Sequence, residues 1–142
     1  MTFFNSIRVG FNKFFDFSTR SNRAEYNYWF VFTLISGLIL SIIDIFLPLF
    51  LNSLFSLIVF IPSISVSIRR LHDINKSGWL IFFPATAVIF FILGFLIALA
   101  INSLFIGIII LFVGFIPLII FIYWTALKSG DLETNRFGSP SN

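Results

Sequence analysis

From Ser77 to Leu127 this chain carries no charged side chain, and from Tyr26 to Ile68 it carries only Asp44. Each run is about twice the ~20 residues that an α-helix needs to cross a hydrocarbon core ~30 Å thick. Each run is therefore expected to hold two crossings joined by a tight turn. In the first run Asp44, Pro48, Asn52 and Ser53 mark the turn, because a charge at the centre of a span costs roughly 2.5 to 3.5 kcal/mol and belongs near water. In the second run Asn102-Ser103 is the best break. The spans are placed at about 27–46, 50–70, 79–100 and 104–127, giving an all-α, integral membrane four-helix bundle in a single domain over 1–142. With 58% hydrophobic and 11% charged residues, the composition excludes an ordinary soluble domain.

The basic residues fix an orientation. Arg8, Lys13, Arg20 and Arg23 precede the first span, Arg69, Arg70 and Lys76 lie between the second and third, and Lys128 and Arg136 lie in the tail, 128–142. Four spans put these three segments on one side, and neither opposite loop has a Lys or Arg. The positive-inside rule then predicts that both termini are cytoplasmic. Trp29, Trp79, Trp124, Tyr26, Tyr28 and Tyr123 fall at the same ends of the helices, where amphipathic rings favour the headgroup level. Before the first span, Phe3, Phe4, Ile7, Phe11, Phe14 and Phe15 share an arc of about 120°, flanked by Arg8 and Lys13. That pattern predicts an interfacial amphipathic helix over about 2–16. Docking on a partner protein is its alternative use. Nothing in the first 28 residues has the pattern of a cleavable signal peptide.

With no cysteine and one histidine, neither a thiolate site nor a zinc or haem site is expected, and no cofactor is predicted. The densest polar cluster is Arg69-Arg70-Leu71-His72-Asp73, followed by Asn75-Lys76-Ser77-Gly78-Trp79. Its chemical reading makes His72 a proton carrier, Asp73 its orienting acid and the arginines a clamp for phosphate or carboxylate. Its structural reading sets cations against a helix C-terminus, with Asp73 at i+4 from Arg69 and i+3 from Arg70. Neighbours on a helix point about 100° apart, so His72 and Asp73 do not make a dyad by adjacency. Asp44 reads as a turn-capping acid, or else as part of an ion path. Ser63 and Ser67, Gly37 and Ser41, and Gly107 and Gly114 offer seams for close helix packing.

Three blocks of this sequence carry a family likeness. The first runs from Phe15-Asp16-Phe17 through Arg20, Arg23, Glu25 and Tyr26. The second is Arg69 to Asp73 with Ser77-Gly78-Trp79, including Leu71. The third is Gly130 with Asn135-Arg136-Phe137-Gly138 and Pro140. In these blocks, and over nearly its whole length, the chain resembles a family of small bacterial inner-membrane proteins, the domain of unknown function 805 family. It departs from that pattern at Asn27, where a tryptophan usually follows the Glu-Tyr pair, and at Leu132-Glu133-Thr134, where the pattern is richer in Pro and Gly. The resemblance implies a compact four-helix protein of the bacterial inner membrane and brings no established reaction.

All three blocks map to the side on which the basic residues collect. Arg20, Arg23, Arg70, His72, Asp73 and Arg136 are therefore expected to meet, with Glu25 and Asp73 pairing some arginines and leaving others free for lipid headgroups. The leading expectation is a non-enzymatic membrane protein that binds anionic lipid or a partner protein, with Arg20, Arg23, Arg69, Arg70, Lys76 and Arg136 as candidate anion ligands. A membrane enzyme using His72 and the arginines on phosphorylated headgroups is one alternative, and an oligomeric transporter is another. Partners are then lipids, further copies of the chain or another membrane protein, and no nucleic acid.

Overall fold

A computed structural model describes residues 1–47, 49–101 and 103–141 and is all-helical, with α1 (Phe3–Asn12), α2 (Arg23–Phe46), α3 (Leu51–Asp73), α4 (Ala85–Ala100) and α5 (Leu104–Ile122). A 3₁₀ turn, Gly78–Phe82, leads into α4, and a π turn, Tyr123–Leu127, ends α5. Among the described residues four segments are long and apolar enough to span a bilayer: Arg23–Phe46, Leu51–Asp73, Gly78–Ala100 and Leu104–Leu127. Of the expected turn markers, Pro48 and Asn102 lie outside the described residues.

Local chemistry sets the ends. Asn22 caps α2 by accepting the Glu25 amide at 2.9 Å, and Glu25 sits in the first turn against the positive end of the helix dipole. At the far end of the hairpin, Asp44 reaches across to α3, and its two carboxylate oxygens accept the Leu51 and Asn52 amides at 2.9 Å each. Asp44 thus caps the helix that follows its own, the role a turn-capping acid was expected to take. The third span, expected from about 79, runs from Gly78 to Ala100 and opens with the 3₁₀ turn. Pro84 stands just before α4 and has no N–H to donate, so α-helical pairing begins only after it.

The spans pack as two hairpins. α2 lies on α3, and α4 lies on α5. Gly94 and Gly107 let α4 and α5 approach until a Cβ at Gly94 would stand 3.1 Å from the Gly107 carbonyl, while Gly114 accommodates Phe91. The hairpins are joined chiefly at one end, where the 3₁₀ turn rests on α3 and the π turn rests on α2 and α3. Along the spans the Leu, Ile and Phe side chains are largely exposed, as lipid-facing surface requires.

α1 is shorter than the sequence suggested and lies partly on the protein. Ser6 and Gly10 form its buried face, and Gly10 meets the ring of Trp29 with no room for a Cβ. Phe3 packs edge-on against Tyr28 and Phe11 edge-on against Trp29, while Phe4 and Phe15 remain exposed at the rim. Trp29 lies near the start of α2, as expected, but its ring is packed inside the protein: it is 3% exposed, in the core with Val59 and Val66, its indole N–H donating to Ser63 Oγ at 3.0 Å. The small-residue face of α1 covers the ring.

Candidate functional site

The end that joins the hairpins also gathers the three sequence blocks. The last turn of α3 supplies Arg69, Arg70, His72 and Asp73, all buried, because the linker 13–22 and the tail wrap over it. Asp73 is the centre. Its Oδ2 accepts Arg70 Nη1 at 2.7 Å, and its Oδ1 accepts Arg20 Nε at 3.1 Å. Arg20 then spends its remaining donors on backbone carbonyls: Glu133 at 2.9 Å, Gly138 at 3.1 Å, Asp73 at 3.3 Å, and Asp131. The Asp131 amide donates to the Asp73 carbonyl at 2.8 Å, and Gly130 lies so close to the Asp73 carboxylate that no Cβ would fit.

Arg69 makes a separate pair. Its Nη1 reaches Glu25 Oε1 at 2.6 Å with both side chains buried, and its carbonyl accepts the Ser21 amide at 3.0 Å. Arg69 Nη2 is buried with no hydrogen-bond partner among the described residues. Three buried arginines thus face two buried carboxylates, and carbonyl oxygens of the tail and the π turn take up further donors of Arg20 and Arg70.

The π turn is part of this arrangement. Widening the last turn of α5 frees its carbonyls: Thr125 accepts Arg70 Nε at 2.8 Å, Ala126 accepts Asn27 at 3.1 Å, Leu127 accepts Arg23 at 3.1 Å, and Lys128 accepts Arg70 Nη2. Asn27, one of the two places where the sequence departs from the pattern it resembles, ties α2 to the π turn that ends α5.

His72 and Asp73 diverge, as helical geometry requires. The His72 ring stacks on Phe137 with centroids 3.7 Å apart and planes 5° apart, and its Nδ1 points to the Thr19 carbonyl at 3.3 Å. Phe137 is held there by a tail turn in which Asn135 donates to the His72 carbonyl at 3.0 Å and accepts the Phe137 amide at 2.9 Å. Gly138 closes the turn at φ 111°, a conformation open to glycine. Beside this stack an apolar groove of about 440 Å³ runs between Ile64 and Ile68 of α3 and Trp79 and Phe82 of the 3₁₀ turn, with Phe17 on its wall. Gly78 makes the close approach of turn to helix possible, since a Cβ there would stand 2.8 Å from Ile68 and 3.2 Å from His72 Nε2.

The candidate anion ligands divide in two. Arg20, Arg69 and Arg70 are at most 3% exposed and committed to protein partners, which corrects their assignment to lipid headgroups: the fold needs their charge to hold the linker, tail and π turn together. Arg23 and Arg136 are exposed, and so is Arg8 of α1, which was not among the candidates. Arg136 donates to the Asn75 carbonyl at 3.0 Å and lies 4.7 Å over the Phe137 ring, while half-buried Lys76 lies 4.1 Å over the Trp124 ring. Among the described residues no three His, Asp or Glu side chains gather into a metal-binding group. In the linker, burial raises the Asp16 carboxyl, but hydrogen bonds from the Thr19 side chain and the Ser18 and Thr19 amides outweigh it and hold the group well below the usual carboxylate range.

Sequence reasoning missed the Thr125, Ala126 and Lys128 carbonyls, because a backbone acceptor leaves no mark in residue identity. It also missed Ser65, whose hydroxyl, buried on α3, lies 2.8 Å from the Lys13 carbonyl and 2.7 Å from that of Asp16. A small polar residue four positions before Arg69 was the available signal.

The chain is 36% identical over 88 residues to the inner membrane protein YhaI of Escherichia coli K12, covering 58% of this chain and 70% of the relative, and equally similar to YhaI of Escherichia coli O157:H7. No solved structure matches it. Four apolar spans and this likeness make it a multi-pass protein of the inner membrane. The model of a family described as "Protein of unknown function (DUF805)" matches residues 14–139, the linker, all four spans and the tail turn, and the chain belongs to that family.

Proposed function

We propose that this is a non-enzymatic inner-membrane protein whose basic end faces the cytoplasm and binds anionic phospholipid headgroups through Arg8, Arg23 and Arg136, with Lys76 beside them. The observation that carries the reading is the division of the cations. Three arginines are consumed in building the end, and three others remain exposed on it, among the exposed rings of Tyr28, Trp79 and Tyr123. Exposed cations beside interfacial rings at a membrane surface attract anionic lipid by ~1 kcal/mol each. The enzymatic alternative gives His72 a proton to move with Asp73 orienting it, whereas His72 Nδ1 faces the Thr19 carbonyl and the Asp73 carboxylate is engaged by Arg20 and Arg70.

The test is lipid retention. Phosphatidylglycerol and cardiolipin carried through purification in mild detergent should fall severalfold in the variant R8Q/R23Q/R136Q, with the protein still monodisperse. Unchanged retention defeats the reading. Orientation is checked separately. The chain has no cysteine, so Ser139→Cys should be shielded from an impermeant maleimide in intact cells, and Ser53→Cys should react.

A further inference from the structure

The buried ion network accounts for Arg20, Glu25, Arg69, Arg70, Asp73 and Asn135. It leaves a second set of residues from the same three blocks without a role: Phe17, His72, Gly78, Trp79 and Phe137. All of these line or shape one groove. Its walls are apolar, and Trp79 and Phe82, largely exposed, stand at its opening. Its volume of about 440 Å³ lies in the ~300 to 1,000 Å³ range of small-molecule sites. At its polar end stand the His72 ring and Ser77, and next to that end lies Arg136, with its guanidinium over Phe137.

The geometry points to a binding site for a single anionic phospholipid, with one acyl chain along Ile64, Ile68 and Phe82 and the phosphate at Arg136. This deepens the lipid-binding reading above and rests on it. Charge decides the occupant. An apolar trough walled at one end by Phe137, over whose ring the exposed Arg136 guanidinium lies at 4.7 Å, complements a molecule with a hydrocarbon chain joined to an anion. Gly78 has a functional reading here as well as a packing one, because any side chain would force the 3₁₀ turn away from α3 and change the width of the trough.

Quenching of tryptophan emission tests this. The purified full chain in mixed micelles is titrated with phosphatidylglycerol or phosphatidylcholine brominated on the acyl chains. Trp79 stands in the groove, and Trp79→Phe identifies its share of the signal. Brominated phosphatidylglycerol is expected to quench that share saturably, at about fivefold lower lipid fraction than phosphatidylcholine. Arg136→Gln should erase the fivefold difference while leaving the fold intact, since the residue is exposed. Ile64→Phe with Ile81→Phe, which fills the trough, should abolish saturable quenching by either lipid. Equal quenching by the two lipids in the unaltered chain overturns the proposal, as does saturable quenching that survives in a folded, filled variant. If filling the groove leaves the copurified anionic lipid unchanged, the groove site fails while the basic-face reading stands. If R8Q/R23Q/R136Q retains its lipid, the basic-face reading itself falls.

Discussion

Arg20 and Asp73 stand 53 positions apart, yet Arg20 Nε and Nη2 both lie within 3.1 Å of the same Asp73 oxygen, and both side chains are buried. Arg70 occupies the other oxygen of that carboxylate. One acid therefore holds two guanidinium groups and, through Arg20, the tail. A buried carboxylate with two cations is costly to desolvate and costly to break, so its value lies in fixing which segments meet.

Removing Asp73 should be severe. Asp73→Ala leaves two buried guanidinium groups without their anion and is expected to cost about 3 to 5 kcal/mol. Thermal unfolding in detergent checks this, and a loss below about 1 kcal/mol would contradict a truly desolvated pair. Arg20→Ala should also release the tail.

Gly130 has no room for a side chain beside the Asp73 carboxylate. Gly130→Ala should push the tail off at a cost of about 1 to 3 kcal/mol, the usual range for overpacking. Limited trypsinolysis after Lys128 reports it. The native chain should resist and the variant should be cut quickly; equal rates would mean that the tail is not held at this point.

Gly10→Ala should lift α1 from Trp29, because its Cβ would enter the indole ring. Trp29 emission should shift to the red and its quenching by aqueous iodide should rise. An unshifted spectrum would mean that α1 does not dock.

Asp44→Ala removes both acceptors for the first amides of α3. The expected loss is about 0.5 to 2 kcal/mol, the range for a helix N-cap. Stability that is unaltered in detergent and in bilayers would argue against the cap and revive a role in an ion path.

The pH dependence of the linker follows from Asp16. Its folded pKa is depressed, so the stability it adds is fully present above the unfolded value of about 4 and is lost as pH falls through the folded one. Hydrogen exchange at the Ser18 and Thr19 amides, corrected for intrinsic rates, should be protected near pH 5 and should lose protection only well below the unfolded carboxylate value. Protection that vanishes already near pH 5 would show that the carboxylate is not what holds them.

The sequence by itself determined the membrane, the number of crossings and the grouping of the basic segments. Two nearly uncharged runs cannot be solvated by water, and the bilayer thickness divides each into two. Asn22 as a helix cap and Asp44 as a turn cap were legible for a similar reason, since both act on amides within eight residues of themselves. Only the tertiary structure decided which arginines are free. Arg69, Arg70 and Arg20 read in sequence like Arg23 and Arg136, and what separates them is burial against Glu25, Asp73 and carbonyl oxygens as distant as Gly138. Those acceptors are mostly backbone, which every residue carries alike, so no residue pattern could announce them. Trp29 was drawn beneath α1 by the absence of a side chain at Gly10, a contact between segments that sequence periodicity treats as separate.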